Sequence, residues 1–178
     1  MLENKLAWYA LRVRSRHEQV TAAVLAYKGY EHFVPTYKER RQRCDRYQTV
    51  DVPLFPGYVF CRFDVHDRLP VVTVPGLVNI VGIGKIPYPI DDLEIGNLQL
   101  AMASGRYVQP WPFLNVGDRV LLKEGPLRDL EGIVVQEKGA TRLVLSISLL
   151  QRSVAVTLDR AWVRPIPARP ATREHLAA

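Results

Sequence analysis

The stretch Pro53–Asp64 reads "PLFPGYVFCRFD". Its second half, from Tyr58 to Phe63, has the aromatic and β-branched content of a strand. The Pro56-Gly57 pair at its mouth is turn chemistry, set among Phe55, Tyr58, Phe60 and Phe63. Upstream, "TYKERRQRCDRYQTVDV" (36–52) lies polar and basic between two β-prone flanks and reads as a hairpin with arginines near its tip. Earlier still, Trp8–Val13 ("WYALRV") reads as a strand. Ser15 with Glu18 three residues on then forms a capping-box pattern for a helix start. Val20, Ala23, Val24 and Tyr27 fall on one helical face, Gly29 supplies the stop, and an extended piece follows at His32–Pro35.

Downstream, the pattern predicts a short helix over Asp67–Val72, which Pro70 weakens, and a strand over 77–83 entering a Gly/Pro-rich turn. Asp91 with Glu94 repeats the capping pattern, and Ile95, Leu98 and Met102 give a helical face ending near Gly105. Residues 1–105 are therefore expected to form an α+β domain, mostly antiparallel sheet with flanking helices. Residues 106–113, with two prolines around Trp111, read as a linker. From 114 to 166 the chain shows short strands: "DRVLLK", "LEGIVVQEK", "RLVLSIS", "SVAVTLD" and "AWVRPI". Turn residues at Gly117–Asp118, Gly125–Pro126, Gly132 and Gly139 punctuate them, as in a small all-β barrel. Residues 167–178 are expected to be a frayed tail.

At 178 residues the chain suits one mid-sized domain or two small ones. No run approaches the roughly 20 apolar residues that a membrane span needs, and the N-terminus is not a secretory signal. Cys44 and Cys61 sit in unlike settings, which favours two free thiols in a reducing cytoplasm over a disulfide. The histidines and cysteines show no metal-ligand spacing, and no catalytic motif is present, so neither an enzyme nor a cofactor is expected.

The formal net charge is +6, and its distribution matters more than its size. Residues 12–46 hold nine basic against four acidic side chains, whereas residues 47–105 hold three against six. One flank of the first half is thus basic, which attracts phosphate backbones without reading sequence.

"GDRVLLKEGPLRDLEGIVVQEK" (117–138) resembles the KOW motif that begins an SH3-like barrel. "WYALRVRSRHEQ" followed by "PLFPGYVFCRF" and "VPGLVNIVG" is similar to the N-terminal domain of NusG proteins, and the two matches come in the NusG order over nearly residues 7–166. The resemblance implies a bacterial transcription elongation factor, monomeric and cytoplasmic, that modulates pausing or termination. Its Pro53–Asp64 stretch is closer to the operon-specific RfaH and UpxY branch. The β-rich second half departs from the helical hairpin that RfaH can adopt there.

The resemblance also implies sites. Phe55, Pro56, Gly57 and Tyr58, with Tyr9, would line a hydrophobic depression for the clamp helices of the largest RNA polymerase subunit. Of the adjacent rings on one strand, Trp8 is expected in the core, while Tyr9 is open to either role. Arg14, Arg16 and His17 match the region that touches non-template DNA in specialised relatives. Arg40, Arg41, Arg43 and Arg46 would reach upstream DNA. His66–Arg68 matches a loop that in such relatives spans the polymerase cleft. Leu127 and Leu130 fall where the barrel recruits Rho or a small-subunit ribosomal protein. A ribosome- or RNA-binding KOW protein without polymerase contact is the alternative reading.

Overall fold

The computed structural model describes residues 6–43, 46–111, 119–122, 128, 131–137, 140–158 and 163–165. Strand β1 (Ala7–Val13) lies at the centre of the chain's first half. Its sequence is almost continuously apolar because both of its faces are covered. Trp8 and Ala10 enter one hydrophobic cluster, and Tyr9, Leu11 and Val13 enter another. β2 (Glu31–Phe33), β5 (Tyr58–Phe63) and β6 (Leu77–Ile80) complete an antiparallel sheet in the order β2-β5-β1-β6. Tyr9 stands opposite Cys61, and Ala10 opposite Phe60.

Helices α1 (Glu18–Tyr27) and α2 (Leu69–Val72) cover the Tyr9 face through Leu25 and Val71. Pro70 does not disrupt α2, because it occupies the first turn, where its missing N–H has no partner to lose. α1 presents a different face from the one expected. Thr21, Ala22 and Leu25 are buried with Glu18, while Val20 and Tyr27 are exposed. The capping box is also absent, since the residue preceding the helix is His17 and it makes no side-chain cap. Gly29 does end the helix, in the left-handed region at φ +81°.

Helix α3 (Asp92–Ala103) covers the Trp8 face with Ile95, Leu98 and Ala101. Asp91 caps it, accepting from the Leu93 N–H at 2.9 Å. The strand expected over 77–83 breaks after Ile80. Its end forms a small hairpin of β7 (Gly82–Ile83) with β8 (Ile86–Pro87). β3 (Thr36–Arg43) and β4 (Arg46–Pro53) form the expected hairpin as a ribbon of their own, paired from Thr36↔Pro53 to Arg43↔Arg46.

From residue 106 onward the chain is an antiparallel sheet with no α-helix among the described residues. β9 (Val108–Trp111), β10 (Arg119–Leu122), β11 (Glu131–Glu137), β12 (Ala140–Ile147), β13 (Arg152–Leu158) and β14 (Val163–Pro165) run in the order β14-β10-β11-β12-β13-β9. Residues 108–111, within the expected linker, are instead the edge strand β9, paired with β13. An edge position accommodates Pro110, which has no N–H to donate to a ladder. Gly132 is required by close approach, because a Cβ there would lie 2.7 Å from Leu143 Cδ1 and 2.8 Å from the Val144 carbonyl oxygen.

The two halves share one apolar cluster. It runs from Trp8, Phe55 and Phe60 through Ile95 and Leu98 to Leu145, Ile147 and Val154. Among the described residues, no helix is long and apolar enough to cross a membrane.

Candidate partner-binding surfaces

The chain leaves β4 at Pro53 and turns before β5, with the Leu54 N–H donating to the Pro35 carbonyl at 2.9 Å. A tight turn follows, closed by the Tyr58 N–H on the Phe55 carbonyl at 3.1 Å. Pro56 and Gly57 hold its central positions, and Gly57 has φ +82°, the pairing that a type II turn takes. The turn is tied from outside as well. The Val13 N–H donates to the Gly57 carbonyl at 2.9 Å, and the Gly57 N–H donates to Glu18 Oε1 at 2.8 Å. This bond accounts for the burial of Glu18 on α1, since a buried carboxylate needs a donor. Glu18→Ala should leave the Gly57 N–H without that partner and cost about 1 kcal/mol of stability in denaturant titrations, whereas Glu18→Gln should cost less. Equal losses from both substitutions would show that the carboxylate's hydrogen bond is not what matters.

The turn sorts its aromatic residues. Phe55 is 1% exposed, and its ring meets Phe60 edge-on at 5.4 Å between centroids. It belongs to the core and does not face outward. Pro56 is exposed, and Tyr58 is half-buried at the rim. Tyr9 is on the other side of the sheet, buried against Phe63 at 4.8 Å, so Trp8 and Tyr9 are both core residues, one on each face. Both faces of β1 are covered, which leaves neither ring a surface to line. Burial, followed by the nearby Asp64, pushes the Tyr9 hydroxyl's pKa upward. Burial likewise pushes the Cys61 thiol up to about 12, leaving it protonated at neutral pH.

Beside the turn lies an open cleft of about 370 Å³. Tyr37, Val52, Leu54 and Pro56 line one side, and Pro110, Arg152 and Ser153 of the second sheet line the other. The Arg152 guanidinium carbon is 5.2 Å from the Tyr58 ring centroid. A second contact joins the two parts of the chain: Ser148 donates to Glu94 through its hydroxyl at 2.7 Å and its N–H at 3.2 Å. Glu94, expected to cap α3, thus reaches across to the second half instead.

The basic residues fall in two groups. Arg14 and Arg16 are exposed and His17 is half-buried at the β1–α1 junction, where Arg16 adopts φ +65°. The Arg14 N–H donates to the Gly76 carbonyl at 2.8 Å, and His17 Nδ1 lies 3.1 Å from the Ser15 carbonyl. Arg40, Arg41 and Arg46 are exposed on the β3–β4 ribbon, and Arg43 pairs with Arg46 in its register. Arg41 donates to Glu39 at 2.6 Å, and Arg40 sits 4.1 Å from the centroid of Tyr47. Leu127 and Leu130 lie outside the described residues. Glu94 was read in the sequence only as a helix-capping residue, and Arg152 and Tyr47 were not singled out. Only the last carried a signal, as an aromatic residue within a basic hairpin.

The family model described as "Transcription termination factor nusG" matches residues 6–99, more than half of the chain. The transcription termination/antitermination protein NusG of Helicobacter pylori is 23% identical over 181 residues, covering 89% of this chain and 98% of the relative. That of Vibrio vulnificus is 28% identical over 179 residues, covering 91% and 97%. Among solved structures, one of domain interaction in Thermotoga maritima NusG is similar in fold, with a TM-score of 0.54 and 22% identity over 91% of this chain and 98% of that one.

Proposed function

Because the chain belongs to the NusG family of transcription termination/antitermination factors, we propose that it binds RNA polymerase through the rim of the Phe55–Tyr58 turn. Residues 1–105 carry that contact, with the clamp helices of the largest subunit as the target. The β-rich part from 114 to 166 recruits a further partner, Rho or a small-subunit ribosomal protein, in a region that includes Leu127 and Leu130. Arg14, Arg16 and His17 face the non-template strand, and the ribbon arginines face upstream DNA. The single observation that carries this reading is the fixed turn. Pro56 is exposed and Tyr58 half-buried beside an apolar cleft, on a backbone tied to both β1 and α1. An amphipathic aromatic ring held at the rim of a groove is the kind of anchor that dominates protein interfaces.

The decisive experiment is retention of core polymerase on the immobilised chain, compared with retention of ribosomal subunits. Polymerase held by the wild type and released by Tyr58→Ala supports the reading. Ribosomal subunits held by both proteins, with no polymerase on either, would favour an RNA-binding KOW protein.

In this reading the second sheet competes with polymerase, since Arg152 covers Tyr58 and Ser148 engages Glu94. A helix pair seated on Tyr58 has to displace Arg152. Glu94→Ala combined with Arg152→Ala should therefore strengthen binding to an isolated clamp-helix fragment by about 1 kcal/mol, or roughly fivefold, as measured by calorimetry. Unchanged or weaker binding would mean that these contacts do not gate the rim.

A further inference from the structure

The β3–β4 ribbon stands apart from the larger sheets as eight residue pairs, about 27 Å in length. Its root is held by Tyr37 and Pro53 at the cleft, but the outer part is exposed on both faces. An isolated two-stranded ribbon gains little from burial, so its exposed side chains are not there to build a core. Tyr47 is 61% exposed at the outer end. It stands opposite Gln42 and diagonal to Arg40, whose guanidinium covers one side of its ring. The cation lies against the ring, most of which stays open to solvent.

The ribbon's charge is too thin to explain this alone. Residues 36–53 carry five basic and three acidic side chains, and Arg41 is paired with Glu39 at 2.6 Å. Counterion release scales with the number of phosphates neutralised, so few uncompensated cations give weak retention of a polyanion. A stacked base adds free energy that does not depend on charge, and it is tolerant of sequence because every base has a π face. Bases inside a duplex are already stacked and gain nothing from such a ring.

We propose that Tyr47, braced by Arg40, is a stacking platform for an unpaired base, so that the ribbon holds single-stranded nucleic acid in preference to duplex. This rests on the reading that the ribbon arginines contact nucleic acid. The test uses the full chain and a short mixed-sequence DNA oligonucleotide, single-stranded or annealed to its complement, with affinities from fluorescence anisotropy at several salt concentrations. Tyr47→Val preserves strand propensity while removing the ring. It should weaken single-strand binding roughly tenfold and duplex binding by less than about twofold, with the salt slope unchanged. Tyr47→Phe should bind like the wild type. Single-strand affinity retained in Tyr47→Val, or lost in parallel with duplex affinity, overturns the proposal. The underlying reading is tested separately by Arg41→Glu with Arg46→Glu. An unaltered salt slope there removes the basic ribbon itself, whereas a flattened slope with a silent Tyr47 removes only the stacking.

Discussion

Phe55→Ala should lower the free energy of unfolding by about 3–5 kcal/mol, the range for deleting a buried ring from a packed core. The ring is 1% exposed and meets Phe60 edge-on, so truncation removes both burial and an aromatic pair. The surrounding cluster links the first sheet, α3 and the second sheet, which limits how far it can collapse into the space. Chemical denaturation of the full chain measures the loss, and Phe55→Leu should recover most of it. Polymerase retention by Phe55→Ala should fall only as far as its unfolded fraction rises. A variant with an undisturbed midpoint and weak polymerase binding would return Phe55 to the surface role implied by the family resemblance.

Tyr58→Ala should behave in the opposite way. Its ring is half-buried at the rim and touched by Arg152, so truncation opens solvent-accessible space more than a sealed cavity. Stability should change by about 1 kcal/mol. Binding to the clamp-helix fragment should weaken by about 2 kcal/mol, or roughly 30-fold, if the ring is a buried anchor in the complex. Calorimetric titration of the folded variant supplies the number. Wild-type affinity would dismiss Tyr58 as an anchor and with it the proposed contact.

Much of the fold was legible because local signals agreed with tertiary placement. The apolar run at Trp8–Val13, the polar hairpin from Thr36, the Asp91 cap and the Gly29 stop all lie where the pattern puts them. The α1 face was misread for a reason that periodicity cannot reveal. Glu18 and Thr21 are polar yet buried, because the Gly57 N–H and the Pro75 carbonyl, distant in sequence, satisfy them. Val20 and Tyr27 are apolar yet exposed. β9 was hidden by Pro110, which argues against a strand except at an edge. The candidate site was legible as a turn but not as a sorting of its rings. One position separates a sealed Phe55 from an exposed Pro56, and that sorting rests on packing in the shared cluster and on bonds to Val13 and Glu18, which no local pattern reveals.

The double tether of Gly57 has a genetic consequence. Its carbonyl is bound to the last residue of β1 and its N–H to the first residue of α1, the segment that also carries Arg14, Arg16 and His17. Alleles in that segment can therefore mimic loss of the aromatic rim without touching it. Epistasis between the two regions is the expected pattern, with paired substitutions at Glu18 and Tyr58 departing from additivity although their side chains have separate roles. Suppressors of a rim defect should accordingly be recoverable at the start of α1.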